Sequence, residues 1–137
     1  MRRADKYPET EVFHFYNKNP KGRINGDCVI RAVATFFDIT WEECVCEMTE
    51  CGLKRGLILN DRKNIKNYLA SKGFSKQPQP RKPDGTKYTA GEFCRELAKK
   101  NKRYILSLAG HLVVVVNGKL WDIWDCSDRC VGNYWVK

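Results

Sequence analysis

The sequence predicts an α+β fold, with helices first and a C-terminal antiparallel sheet packed against them. Three observations predict it. Apolar residues recur at helical spacing in the segments that start near residues 27, 40 and 60. An unbroken apolar run, HLVVVV, stands at 111–116. Asn117-Gly118 follows it and leads into KLWDIW, the pattern of a two-residue hairpin. Helical patterns that precede strand patterns, instead of alternating with them, point to segregated layers.

Residues 1–10 are polar and are expected to be frayed; residues 11–137 are expected to form a single domain. EVFHFY at 11–16 fits a short strand, and NKNPKGRING at 17–26 is a loop by its Asn, Pro and Gly content. Asp27 is placed to cap a helix whose first residue is Cys28, with Val29, Val33, Phe36 and Phe37 on its inward stripe. Thr40 to Glu43 reads as a capping box for a second helix, ending near Gly52. Asn60 and Asp61 open a third, with Ile65, Tyr68 and Leu69 inward and Gly73 at its end. The Pro-rich, basic stretch 75–87 reads first as an exposed linker between the two halves of the domain, and second as a functional or mobile segment. Thr89 to Glu92 is another capping box, predicting a helix through about residue 100. RYILSL at 103–108, the two hairpin strands and a last strand from Asn133 to Val136 make the sheet. The absence of polar residues from HLVVVV predicts a strand covered on both faces.

Composition narrows the function classes. With 42% apolar and 30% charged residues, the 137-residue chain reads as an ordinary globular domain. No run approaches the ~18 apolar residues of a membrane span, and no apolar stretch follows the basic N-terminal residues as a secretory signal would require. A cytoplasmic location without a membrane partner is therefore expected. Seven cysteines in such a chain argue for reduced thiols. The net charge of +9 favours anionic partners, nucleic acid among them, yet the Lys and Arg residues are scattered and no stripe dominates. Cys44, Cys46 and Cys51 lack the paired short spacings of a structural zinc site. No metal and no cofactor is called for.

Chemistry concentrates on Cys28 and His111. A thiol attacks as the thiolate, and a helix N-terminus or a neighbouring imidazolium favours that form. Of the seven cysteines, Cys28 alone stands where a long apolar helix begins. The chain has two histidines, and His111 opens a predicted strand directly after Gly110, at the mouth of the sheet. An imidazole that serves as base needs an acceptor for its second ring nitrogen. Asp122 and Asp125 both qualify: hairpin register puts Asp122 on the His111 face, and position at the strand end favours Asp125. Trp124 lies nearest the presumed cleft, where an aromatic can pack in the core or contact a ligand.

The runs Gly26-Asp27-Cys28-Val29-Ile30-Arg31-Ala32, Gly110-His111-Leu112-Val113-Val114 and Trp121-Asp122-Ile123-Trp124-Asp125 resemble the papain-like cysteine peptidase superfamily. The chain is most similar there to the compact bacteriocin-leader-peptidase-like branch and its small phage and bacterial relatives. The resemblance implies a papain-like domain, with the nucleophile at the start of a central helix. It implies hydrolysis of a peptide or isopeptide bond in a protein or peptide substrate, through Cys28, His111 and, as third member, Asp125. The family's Gln five or six residues before the nucleophile is replaced by Gly22 and Arg23. Asn25 is the nearest amide side chain to serve the oxyanion. The rival reading is a catalytically silent papain-like module that binds a protein or nucleic-acid partner through its basic surface.

Overall fold

In the computed structural model, which describes residues 1–137, a five-stranded sheet carries helices on one face and shorter elements on the other. The strands are β1 (Phe13–Phe15), β2 (Arg103–Leu108), β3 (His111–Val116), β4 (Lys119–Asp122) and β5 (Tyr134–Val136). Their order across the sheet is β1-β4-β3-β2-β5. The α+β class holds, but the sheet is mixed and does not consist of C-terminal strands alone. β1 comes from before the helices and pairs in parallel with β4, Phe13 opposite Leu120. The remaining pairs are antiparallel. An exclusively antiparallel, C-terminal sheet was expected because pairing between segments so distant in sequence leaves no local signal.

The helices are α1 (Arg3–Lys6), α2 (Cys28–Phe37), α3 (Trp41–Leu53), α4 (Arg62–Ser71) and α5 (Ala90–Glu92), the last running into a π-helical segment, Phe93–Leu97. Thr40 and Asp61 cap α3 and α4 by accepting from Glu43 N–H and Lys63 N–H, and Thr89 with Glu92 forms the full reciprocal box. The helix expected to reach residue 100 ends instead at Leu97, its second turn widened into π geometry. Residues 1–10 are not merely frayed: Arg3–Lys6 form a helical turn, and Arg3 Nε donates to Ile123 O at 2.6 Å. The 75–87 stretch runs beside the sheet edge, where Gln77 bridges to Tyr134.

Both sheet faces are buried, as the unbroken β3 run predicts. Ile105, Leu112, Val114 and Trp135 pack with α2, α3 and α4. Tyr104, Leu106, Val113, Val115 and Leu120 pack on the other side with Val12, Phe93 and Cys126. The β3–β4 hairpin closes through Asn117 and Gly118, at φ +53° and +74°, with Val116 opposite Lys119. Left-handed backbone at both turn positions is what an Asn-Gly pair supplies at least cost. Gly110, at φ +63°, is the one left-handed residue of the two-residue β2–β3 turn and is followed by His111 as the first residue of β3.

The place of β1 in the sheet is open to direct test. Phe13 has no exposed surface. Phe13→Ala should therefore lower the unfolding free energy in urea by about 3–5 kcal/mol. A loss below about 1 kcal/mol would mean that the first strand does not pack on the sheet.

Candidate active site

Helix α2 lies across β3, so the start of the helix and the start of the strand meet at one end of the sheet. Cys28 is the first residue of α2 and His111 the first of β3. Cys28 is half-buried, its sulfur within hydrogen-bonding reach of the His111 ring and of the Leu112 backbone N–H. Asp122, the last residue of β4, bonds to the same ring: His111 Nε2 and Asp122 Oδ2 are 2.5 Å apart. With Nε2 engaged, Nδ1 is the nitrogen left to serve the thiol.

Asp122 is itself held from behind. Its Oδ1 accepts from Arg31 Nη1 at 2.7 Å and from Ile123 N–H at 2.7 Å. Arg31 lies one turn into α2, and its Nε donates to Asp27 Oδ1 at 2.8 Å. Asp27 completes its set with Trp41 Nε1 at 2.9 Å and Asn19 Nδ2 at 3.1 Å. Asp27 stands at the N-cap position, but its carboxylate binds these three donors and no helix amide. The Arg31 and Asp122 side chains are 8% and 2% exposed, so the ion pair is shielded from water, where such pairs are strongest and most geometry-dependent.

Charge follows from this arrangement. Burial pushes the Cys28 thiol up, but hydrogen bonds from His111 and Leu112 N–H, with the charges of His111 and Arg31, bring it below its ordinary value. Burial disfavours the His111 imidazolium, but hydrogen bonds to Asp122, Cys126 and Cys28 outweigh it and hold the ring well above the ordinary histidine range. Both shifts favour a thiolate–imidazolium pair. The sign runs opposite ways for the two groups. The His111 contribution to stability is complete below about pH 6.5 and is lost as pH climbs through the raised folded value. The Cys28 contribution is present at high pH and is lost as pH falls through the lowered folded value. Cys44 and Cys94, by contrast, are pushed up to about 12 by burial and stay inert thiols.

Asp125, taken from the resemblance as the third member, does not meet His111. β4 ends at Asp122, the chain bends, and Asp125 Oδ1 accepts from Ser127 N–H at 3.0 Å. The hairpin is a plain two-residue turn without a bulge, so register favours Asp122. Asn25 is exposed and does not line the cleft beside Cys28. The backbone N–H groups of Cys28 and Val29 donate to no backbone carbonyl and are the free donors next to the sulfur.

Three contributors escaped sequence reasoning. Arg31 carries the network, and its signal was a lone charge among the apolar residues of α2, four residues after Asp27. Cys126 lies fully buried against the same groups, its Sγ 3.9 Å from Asp122 Oδ2. The Leu112 N–H is a backbone group without a sequence signal. His111, Asp122 and Cys126 bring possible ligand atoms within 4.8 Å of one another, a three-donor set with which a metal could be held, although the histidine and carboxylate are already bonded to each other. Trp124 packs against His111, ring centroids 4.9 Å apart, and Arg129 covers its outer face at 5.6 Å.

Cys28 and His111 open onto a cleft of about 780 Å³ whose apolar wall includes Val29, Leu112, Trp124 and Trp135. That volume suits a peptide-sized ligand. Compared with known proteins, the chain finds no significant match among family models, curated proteins or solved structures. No helix is long and apolar enough to cross a membrane.

The two carboxylates can be separated by the thiol they act on. Asp122→Asn should slow alkylation of Cys28 by iodoacetamide near pH 6 by about tenfold or more, because a thiol pKa raised by one unit removes nine-tenths of the thiolate. Asp125→Asn should stay within about twofold of the wild-type rate. The reverse order would restore Asp125 to the site.

Proposed function

We propose that the chain is a cysteine-dependent hydrolase of peptide or isopeptide bonds, with Cys28 as nucleophile, His111 as general base and acid, and Asp122 as the group that orients the imidazole. The observation that carries this reading is that Cys28 and Asp122 both bond to one half-buried imidazole at the cleft. The order of the three residues along the chain, and their places at a helix start, a strand start and the next strand, resemble the papain-like peptidases.

The Cys28 thiolate attacks the carbonyl carbon, forming a C–S bond and moving the π electrons onto oxygen. The backbone N–H groups of Cys28 and Val29 are the nearest unpaired donors for that oxyanion. On collapse the C–N bond breaks, and the amine leaves with the proton carried by His111. Water then attacks the thioester, His111 takes a proton from it, and cleavage of the C–S bond returns the thiolate and releases a carboxylic acid. Asp122 keeps the imidazolium in place throughout and does not accept its proton.

A non-catalytic binding module is the second reading. It is favoured by one observation: the amide side chain nearest Cys28 in sequence, Asn25, is exposed and does not line the cleft.

Incubation with a denatured protein mixture, followed by mass-spectrometric detection of new α- and ε-amines, separates the two. Wild-type protein should generate new amines, while Cys28→Ala and His111→Ala should each reduce them to background, a loss of at least about a hundredfold. Equal yields from the wild type and Cys28→Ala would contradict the hydrolase reading. So would labelling of Cys28 by iodoacetamide no faster than the exposed Cys46 and Cys130.

A further inference from the structure

The cleft beside Cys28 is charged on one side only. Arg3, Arg31, Arg62, Lys63, Lys66 and Lys76 line it, and no Asp or Glu does. Arg31 is committed to Asp27 and Asp122, and Arg3 to Ile123 O. The other four are exposed and have no carboxylate within 4.0 Å. Elsewhere on the surface the acids are spent on cations: Glu9 on Lys119, Glu11 on Arg95, Glu47 on Lys72 and Glu92 on Lys82.

The placement of these cations works against the helix that carries them. Arg62 and Lys63 occupy the first turn of α4, where the helix dipole is positive and acidic residues are favoured; the N-cap Asp61 is the one acid there, and the turn itself holds none. Arg62 and Lys66 are like charges four residues apart, and Lys63 and Lys66 three apart, spacings that repel. Helix α4 gains nothing from this pattern. A ligand bearing negative charge would gain from all of it, because low-dielectric walls of Val29, Leu112 and Trp135 concentrate the field inside the cleft.

We propose that the cleft selects an acidic peptide segment, with Asp or Glu side chains flanking the bond presented to Cys28 and paired by Arg62, Lys63, Lys66 and Lys76. This rests on the hydrolase reading for its chemistry, but the recognition is a binding property and is testable without it. A peptide fits better than a nucleic acid. The cations line a bounded cleft with apolar residues beside them and the Cys28 thiol among its lining, whereas a nucleic acid needs a basic path along its backbone.

The probes are two acetylated peptidyl chloromethyl ketones of equal length, one carrying two Glu and the other two Gln before the reactive group. The rate of Cys28 modification is read by intact mass and normalised for each protein to its rate with iodoacetamide. At low salt the Glu probe should react faster by about tenfold or more. The advantage should shrink as salt is raised and fall below about twofold in Arg62→Gln/Lys66→Gln. Thermal melts confirm that the variant is folded. Equal rates for the two probes, or an advantage that survives the double substitution, would overturn the proposal. If Cys28 proves unreactive to both reagents, the hydrolase reading fails, and fluorescence polarisation of the labelled Glu and Gln peptide amides still decides this one. Preferential binding of the Glu peptide that is lost in the double variant upholds it. Equal binding, or displacement of the Glu peptide more strongly by a single-stranded oligonucleotide of equal charge than by the unlabelled peptide, overturns it.

Discussion

A guanidinium buried between two carboxylates joins the helix that begins at Cys28 to the sheet. Arg31 reaches Asp27 through Nε and Asp122 through Nη1, so one planar group spans from the start of α2 to the end of β4. Burial of three charges is costly, and their mutual attraction repays the cost only when every donor and acceptor is satisfied. Here the satisfaction is dense: Asp27 takes Arg31, Trp41 and Asn19, and Asp122 takes Arg31, His111 and Ile123 N–H. The arrangement tolerates little displacement of α2 along the sheet. That rigidity holds the Cys28 sulfur against the His111 ring, since Cys28 and Arg31 lie one turn apart on the same helix.

The rest of the fold serves as a support for this junction. β3 is covered on both sides, by α2 through Leu112 and Val114 and by the opposite layer through Val113 and Val115. A strand so enclosed keeps its first residue, His111, from fraying. The two tight hairpins on either side of it, closed at Gly110 and at Asn117-Gly118, fix the register that brings Asp122 back to the imidazole. Cys126 and Trp124, just past β4, close the remaining sides of the ring. An imidazole bonded to a buried carboxylate and to a thiol is driven to the charged form despite its burial, and the thiol is driven to its own charged form with it.

Much of this was legible along the chain because it was encoded locally. The place of Cys28 followed from the apolar stripe of α2, and that of His111 from Gly110 and the run behind it. Asn117-Gly118 specified the turn, and counting outward from it put Asp122 on the His111 face. Asp125 was preferred through the resemblance, and the bend after Asp122 carries it away to cap Ser127. What escaped was non-local or local in an uncommon way. The parallel pairing of β1 with β4 joins segments more than a hundred residues apart, through a strand of three residues. The role of Arg31 depends on a partner ninety-one residues away. The π-helical segment has the same apolar spacing as an ordinary helix turn. Closeness in sequence to Cys28 singles out Asn25, yet it stands exposed between Ile24 and Gly26, which line the cleft as it does not.

The charge state of His111 tests the central claim most directly. ¹⁵N NMR of the labelled protein, recorded from about pH 5 to about pH 9, reads both ring nitrogens without reference to any substrate. The account predicts that His111 stays doubly protonated across that range. A His111 ring that loses its proton near about pH 6.5 would contradict it, since the buried carboxylate and the thiol would then not be acting on the imidazole as described.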